Sequence, residues 1–526
     1  MKSLFGTDGI RGEAGKFPLD APTVRIIGSS LASYLGATAV GPTSIIIGRD
    51  TRESGEWLER GLVEGATAAG AECLSAGVIT TPGVAYLTRL MQADAGVVIS
   101  ASHNPYHDNG IKIFAPSGQK IADSVEQHIE TDIVAKKEVP TVTDQVAVQS
   151  GEKLRAHYLE FLRNEIGIGL DLNSFKVVLD CANGASWELA PALFESLGAQ
   201  VVAINVAPDG RNINLNCGSL HIESLQETVI AEKADLGVAF DGDADRALFV
   251  DETGTFIDGD ATLWVLANQL RERKRLRGNI VVATVMSNIG LEIALRSHGI
   301  ELVRADVGDK YVLEELLKRE GSLGGEQSGH IIMPDLSLAG DGMITALSLI
   351  RAMIDFGQPL SRLTSGFQRY PQVLVNIRVR EKLPFDDLPA VQNAVAEVEE
   401  RLSSNGRLLL RYSGTEALAR VMIEGVNQTE IETYAQEIAR EIQREIGAES
   451  SVEENFYTHT REKSTPHHAL DRMQNLLLRV LHLFLRANLM MLDPLPKLSC
   501  TARALRCILW GKRDGWWILR LKWLLG

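Results

Sequence analysis

Short runs of β-branched and aliphatic residues alternate with longer amphipathic stretches over most of this chain. Ser44-Ile45-Ile46-Ile47 runs into Gly48-Arg49-Asp50, and a helical period follows from about Gly55 to Ala69. Gly96-Val97-Val98-Ile99 leads into Ser100, and Phe175-Lys176-Val177-Val178-Leu179 into Asp180. Leu236-Gly237-Val238-Ala239-Phe240 leads into Asp241, and Asn279-Ile280-Val281-Val282-Ala283 into Thr284. Unbroken apolar strands separated by helical stretches predict parallel sheets covered on both faces, an α/β architecture. Beyond Phe367–Pro371 the rhythm changes. Val373–Val379 alternates apolar with polar residues and a helical stretch covers Leu388–Leu402, the pattern of an α+β module.

A chain of 526 residues is too long for one hydrophobic core. Polar, weakly periodic segments near Lys136–Gly151 and Asp251–Asp260 mark boundaries. The predicted layout is three similar α/β domains with mixed, mostly parallel sheets covered by helices, at 1–150, 151–255 and 256–367. A fourth, α+β domain follows at 368–449, then an unrelated tail at 450–526. Residues 451–526 hold 12 Lys and Arg against 6 Asp and Glu, and four of the seven tryptophans (510, 516, 517 and 523). Such a basic, Trp- and Leu-rich segment can lie on a membrane surface or dock a partner. The simpler expectation is an extension separate from the catalytic body.

Composition narrows the class. Hydrophobic content of 45% and charged content of 23% are those of an ordinary globular protein. A net charge of −15 argues against nucleic acid as a partner, which needs a basic face. The N-terminus shows no apolar signal-peptide core, and no uncharged apolar stretch is long enough to span a bilayer. The five cysteines (73, 181, 217, 500 and 507) lack metal-type clustering and fit reduced thiols in a cytoplasm.

In parallel sheets, ligands bind beyond the carboxyl ends of the strands, where Arg49–Arg52, Ser100–Ser102 and Asp241–Asp245 all fall. Any one of these alone could be a turn residue or helix cap. Asp241-Gly242-Asp243-Ala244-Asp245-Arg246 is the most informative. In an extended backbone its three carboxylates share one side, where they repel unless a cation sits among them. All-oxygen ligands suit a hard cation, Mg²⁺ first. The spacing mimics an EF-hand, but Arg246 stands where the sharp turn needs Gly and the flanks read as strands. A phosphatase with Asp241 as nucleophile is a second alternative, and it leaves Ser102 without a role.

Three further segments carry candidate chemistry. Ser100-Ala101-Ser102-His103-Asn104-Pro105 offers a serine in a turn fixed by Asn-Pro, without the Gly-x-Ser-x-Gly elbow of hydrolases. His103, as the next residue, is poorly placed to act as base on the Ser102 hydroxyl. Gly324-Gly325-Glu326-Gln327-Ser328-Gly329-His330 suits a sugar's vicinal hydroxyls, or is simply a polar hairpin loop. Arg411-Tyr412-Ser413-Gly414-Thr415-Glu416, with Arg420 near, can cradle a phosphate.

In this order the four segments resemble the α-D-phosphohexomutase family over roughly residues 3–447. Ser102 matches its phosphoserine loop, Asp241–Arg246 its metal loop, Glu326–His330 its sugar loop and Arg411–Thr415 its phosphate loop. Phe5-Gly6-Thr7-Asp8-Gly9-Ile10-Arg11-Gly12, Gln327, Val307-Gly308-Asp309 and Asn212-Ile213-Asn214 are similar to the branch acting on glucosamine phosphates. Ala417, Tyr412 and Lys310 depart from the pattern, where Pro, Lys and Arg are usual.

The resemblance implies an isomerase interconverting glucosamine 6-phosphate and glucosamine 1-phosphate for amino-sugar nucleotide and cell-wall precursor synthesis, or alternatively mannose or glucose phosphates. Phosphorylated Ser102 would donate its phosphoryl group to give a glucosamine (or glucose) 1,6-bisphosphate, whose other phosphate returns to Ser102. It implies Mg²⁺ on Asp241, Asp243, Asp245 and a phosphoseryl oxygen of Ser102. Glu326, Ser328 and His330 would meet the sugar, and Arg246, Arg411, Ser413, Thr415 and Arg420 the phosphate. Lys112, His103 and Arg11 would neutralise charge or move protons. The expected partner is a small phosphosugar, with a homodimer left open. A non-catalytic metal- or sugar-binding protein is the remaining alternative.

Overall fold

The computed structural model describes residues 4–6, 8–37, 41–140, 149–150, 152–403, 406–413 and 416–448. The expectations placed on Thr415 and on the tail at 450–526 lie outside the described residues.

Four sheets follow one another along the chain. The first comprises β1 (Phe5–Gly6), β2 (Gly9–Glu13), β3 (Ser44–Arg49), β4 (Glu72–Val78), β5 (Ala95–Ile99), β6 (Asp108–Phe114) and β7 (Gln149–Ser150), ordered β1-β2-β6-β5-β3-β4-β7. The second comprises β8 (Lys176–Asp180), β9 (Gln200–Ile204), β10 (Leu236–Phe240), β11 (Ala247–Asp251) and β12 (Phe256–Ile257), ordered β12-β11-β10-β8-β9. The third comprises β13 (Ile280–Thr284), β14 (Glu301–Ala305), β15 (Gly324–Gly325) and β16 (Ile331–Ile332), ordered β14-β13-β15-β16. The fourth, β17 (Gln372–Arg378), β18 (Gly406–Tyr412) and β19 (Leu418–Gly425), is antiparallel in the order β17-β19-β18. Helices Pro389–Leu402 and Gln428–Ile446 pack against it.

The unbroken apolar runs do form parallel pairs: β3 with β4 and β5, β8 with β9 and β10, β13 with β14 and β15. β5, β10 and β13 are buried along their whole length, because helices cover both faces. Antiparallel pairs make these sheets mixed, as expected, and one placement recurs in all three. β5 to β6, β10 to β11 and β15 to β16 are antiparallel neighbours, so the chain turns straight back in a hairpin. Parallel neighbours need a crossover of about a dozen residues or more, whereas antiparallel ones are joined by a few. The three loops singled out in the first three domains are thus the same hairpin in three sheets, and the fourth joins β18 to β19.

One continuous apolar cluster joins the first three domains, running from Ile46 and Val98 through Leu179 and Phe240 to Val281 and Leu347. The fourth sheet has its own core around Val373, Val421, Ile438 and Ile442. Polar bonds cross the shared core too. Asp341 caps helix Gly342–Phe356 by accepting the Met343 and Ile344 N–H groups at 2.9 and 3.1 Å, and the buried Tyr158 hydroxyl donates to its other oxygen at 2.6 Å. Tyr158→Phe removes that donor and leaves a buried carboxylate oxygen unpaired. We expect a stability loss of about 1–3 kcal/mol, read as a lowered thermal midpoint; an unchanged midpoint would show that the bond contributes nothing net.

Candidate active site

Ser102 sits at the turn of the β5–β6 hairpin, fully buried and with a left-handed φ of 53°. That conformation costs a non-glycine residue about 1–3 kcal/mol and persists only where its surroundings dictate it. Here they do. The buried Arg52 guanidinium donates to the carbonyls of Ser102 (3.0 Å), Asn104 (2.8 Å) and Asp108 (2.9 Å), and also to that of Pro105. Asp50 holds Arg52 from behind at 2.8 Å and accepts the Ser100 hydroxyl at 2.6 Å, and the Ser100 oxygen in turn accepts the Ser102 N–H at 3.0 Å. Asn214 from the second domain donates to the same Ser102 carbonyl at 2.9 Å. Gly242 completes the seat, since a Cβ there would stand 2.5 Å from Ser102 O.

The Ser102 hydroxyl donates to Asp241 Oδ2 at 2.5 Å, across 139 residues of sequence. Asp241, Asp243 and Asp245 are all buried, with one oxygen from each lying within 4.8 Å of the others. They do not converge by strand alternation as expected. Residues 242–245 form a turn, closed by Ala244 N–H on Asp241 O at 3.1 Å with Ala244 at φ 56°, and the turn folds the carboxylates together. Burial pushes the Asp241 carboxyl well above its usual range, and Asp245 and Asp243 push it further. Burial also opposes ionisation of Asp245, but Lys112 and then His330 outweigh it and hold that group well below the usual range. Asp243 Oδ1 and Asp245 Oδ1 are buried without a hydrogen-bond partner. Orphaned oxygens in an all-carboxylate cluster fit a divalent cation, and this set could hold one.

Lys112, from β6 and wholly buried, lies 2.8 Å from Asp243, 3.2 Å from Asp245 and 3.0 Å from Asp8. Lys120 joins Asp8 and Asp309, each at 2.7 Å. His330 lies 3.8 Å from Asp309 and 3.7 Å from Asp245. The six charges therefore alternate around a closed ring, Asp245–Lys112–Asp8–Lys120–Asp309–His330, contributed by three domains. Burial disfavours the His330 cation, but Asp245 and then Asp309 override it and raise the imidazole to about 9. Arg11 pairs with Asp8. A cavity of about 500 Å³ lies against Asp8, Lys120, Asp245, Asp309 and His330, with Ser102, Asp241 and Glu326 off its wall.

His103 corrects one expectation. Its Nδ1 lies 3.3 Å from Ser102 Oγ despite being the next residue, and 3.1 Å from Arg246 Nη1. Burial, then Arg246 and Arg11, lower the imidazole to about 4, so it is neutral near pH 7. A guanidinium only donates, so Nδ1 is the acceptor and Nε2 carries the proton. Arg246 also donates its backbone N–H to Asp241 Oδ1 at 3.2 Å.

The β15–β16 hairpin holds Glu326 with Oε1 accepting from Gly308 N–H (3.2 Å) and Oε2 from the Ser328 hydroxyl (3.0 Å). Arg411 and Arg420 are directly opposed across β18 and β19, two like charges that favour a shared anion. Arg411 also approaches Met286 Sδ at 3.8 Å. Ser413 is buried at the start of that loop and accepts the Glu416 N–H at 3.3 Å. Among the described residues no hydrogen bond or ion pair joins Arg411, Ser413 or Arg420 to the aspartate cluster. Tyr412 faces the other way, stacked on Phe385 at 4.2 Å, so its departure from the family pattern falls outside the cradle.

Asp8, Arg52, Thr81 (2.5 Å from Asp243), Lys120 and Asn214 had no sequence signal of their own as contributors here. Arg52, Asp8 and Asn214 did fall in segments already marked, by the strand end, by the opening motif and by the Asn212-Ile213-Asn214 run.

Models of the phosphoglucomutase/phosphomannomutase α/β/α domains I, II and III match residues 2–140, 156–254 and 258–370, and that of the C-terminal domain matches 374–441. A phosphoglucosamine mutase of Solibacter usitatus is 50% identical over 437 residues, 83% of this chain and 97% of that one. A phosphoglucomutase/phosphomannomutase family protein of Burkholderia thailandensis has a similar structure, with TM-score 0.69 and 25% identity, covering 84% of this chain and 98% of its own. The N-acetylphosphoglucosamine mutase of Aspergillus fumigatus, solved with GlcNAc-6P and magnesium, shares the fold at TM-score 0.56 and 18% identity, over 84% and 95% of the two chains.

Arg52→Lys keeps the charge but loses the fork that grips several carbonyls at once. Amide exchange across Ser100–Asp108 should accelerate at least ~100-fold, the scale expected for breaking a buried charged network. Exchange unchanged from the wild type would show that Arg52 does not hold the hairpin.

Proposed function

The chain belongs to the phosphoglucomutase/phosphomannomutase family, and on that footing we propose that it interconverts glucosamine 6-phosphate and glucosamine 1-phosphate through a phosphorylated Ser102. It is an enzyme, an isomerase that moves a phosphoryl group between positions on sugar phosphates. The observation that carries the Ser102 reading is its hydroxyl, 2.5 Å from one of three buried carboxylates that could hold a cation.

In this reading Asp241, Asp243, Asp245 and phosphorylated Ser102 would hold Mg²⁺, which when bound would supply positive charge against the transferring phosphoryl group. Ser102 carries the group to the free hydroxyl of the sugar, giving a 1,6-bisphosphate whose other phosphate returns to Ser102. Lys112, kept charged by Asp243, Asp8 and Asp245 against the effect of burial, and Arg11 and Arg246 supply fixed positive charge. His103 beside Ser102 is neutral near pH 7 and only weakly basic, while the Ser102 hydroxyl already donates to Asp241. Glu326, Ser328 and His330 would address the sugar side. Arg411, Ser413, Thr415 and Arg420 would hold whichever phosphate is not reacting, for either orientation of the sugar. We place the reaction in a reducing cytoplasm, which the free thiols of Cys73, Cys181 and Cys217 suit. No helix among the described residues is long and apolar enough to cross a membrane.

Intact mass and phosphopeptide mapping of the purified protein should show a fractional adduct of about 80 Da, one HPO₃, on Ser102. Ser102→Ala should lower turnover by at least ~1000-fold with the fold intact, because the group transferred has lost its carrier. Near-normal turnover in that variant would sink the phosphoserine mechanism, and an aspartyl-phosphate abolished by Asp241→Asn would favour a phosphatase instead. Side-by-side assays of glucosamine, glucose and mannose phosphates rank the sugars.

Chelation by EDTA should abolish turnover and Mg²⁺ restore it. Asp243→Asn keeps an oxygen in place but removes a charge, so the Mg²⁺ concentration at half-maximal activity should rise at least ~10-fold. Turnover indifferent to chelation would count against a metal at this cluster.

A further inference from the structure

Gln327 lies between Glu326 and Ser328, yet its amide donates to Asp260 Oδ2 at 3.1 Å, in the first turn of helix Gly259–Glu272. Asp260 is fully buried, and the same oxygen accepts the Asn288 N–H at 2.8 Å. Asn288, also buried, caps helix Ile289–Ser297 through Oδ1, which takes the N–H groups of Gly290 and Tyr370, each at 2.9 Å. Its Nδ2 donates to Tyr370 O at 3.0 Å and to Glu424 Oε1 at 3.2 Å. Glu424 is a buried residue of β19, and its Oε2 accepts the Ile289 N–H at 3.2 Å and the Arg407 guanidinium at 2.8 Å. Hydrogen bonds through Asp260 and Asn288 thus link the sugar-side hairpin to the fourth domain.

The backbone along this route leaves no slack. A Cβ on Gly259 would stand 2.0 Å from Glu326 O, and one on Gly290 would stand 2.0 Å from Gln368 O. At the far end, Arg407 is opposite Glu424 and Arg411 is opposite Arg420 in the same β18–β19 ladder. Even spacing along each strand places both pairs on one face. The anchor that receives the hydrogen bonds and the arginines proposed to meet phosphate therefore lie on one face of one sheet.

We propose that Gln327 is a positioning residue. Through Asp260 and Asn288 it ties the sugar-side hairpin to Glu424, so that engaging the sugar end of a ligand and presenting Arg411 and Arg420 to its phosphate end are coupled. This rests on the reading of Glu326 and Ser328 as sugar contacts and of the two arginines as phosphate contacts. A bisphosphate that must be held in two orientations gains from such coupling, because the first end to bind orders the surface that receives the second. Coupling of this kind is reciprocal and typically about 5- to 150-fold in affinity.

A series of contacts is not itself evidence of coupling, so the test measures it. Gln327→Met, Glu424→Gln and the double variant are made in the full chain and assayed with glucosamine 6-phosphate. Met matches Gln in reach but cannot donate. Each single variant should raise KM at least ~5-fold with kcat within about twofold, and the double variant should be no worse than the poorer single within about twofold. An unchanged KM in Gln327→Met overturns the proposal. So does a double variant whose KM rises by the product of the two single effects, and so do parallel losses of kcat and thermal midpoint without a selective rise in KM.

Amide exchange of the wild type, with and without glucosamine 6-phosphate, decides the matter if a variant folds poorly. The Asn288 and Ile289 amides should slow at least ~3-fold on binding, since both donate within the route. Slowing confined to Glu326–His330 overturns the coupling. A wild type that binds glucosamine 6-phosphate but does not turn it over would sink the mutase reading instead, leaving the exchange result to settle the coupling alone.

Discussion

Three carboxylates within 4.8 Å of one another in a buried turn repel strongly, and the rest of the site is organised around that fact. Burial raises Asp241, while Lys112 and His330 hold Asp245 ionised, so the cluster divides into a member that resists charge and one that keeps it. Lys112 and His330, which make this tolerable, are themselves buried and would be costly alone. Lys112 needs Asp8, Lys120 needs Asp309 as well as Asp8, and His330 needs Asp309, which closes the ring. Its members come from three domains, so assembling the site and docking the domains are one event.

The same logic explains why Ser102 is so firmly held. A group that faces a cluster able to hold a cation must stay in place as charge near it changes. Arg52, Asn214 and the bare Cα of Gly242 fix the backbone of Ser102 from three directions, leaving its hydroxyl directed at Asp241. Asp50, which anchors Arg52, also orders Ser100, so one buried ion pair sets the whole hairpin. Placement of this kind, on a turn overdetermined by its surroundings, is what phosphoryl transfer asks of a protein that contributes mainly position and electrostatics.

Repetition of one hairpin in three sheets gives the molecule its economy. Each of the first three domains brings a loop from an equivalent position, after β5, β10 and β15, and the shared apolar core brings the three together. The fourth domain keeps a separate core and meets the others through polar contacts at Asn288, Glu424 and Arg407.

Strand positions, the change of rhythm after residue 367 and the metal-like character of Asp241–Asp245 were all legible in the sequence, because periodicity and local charge density are expressed within a few neighbouring residues. The order of four loops was legible too, though Ser102 drew its meaning from the company of the other three. What tertiary structure decided were relations between residues far apart or backbone choices that composition leaves open. The apolar run of β10 fits parallel pairing, but its antiparallel return to β11 depends on which neighbour it finds. The three aspartates meet through a turn with Ala244 left-handed, where strand alternation predicted an extended segment. His103 lies 3.3 Å from the Ser102 hydroxyl beside a left-handed Ser102, a backbone choice its sequence neighbours do not announce. The Ser102–Asp241 contact, the Arg52 grip and the ring of six charges close over tens to hundreds of residues, and such pairings exist only once the cores have formed.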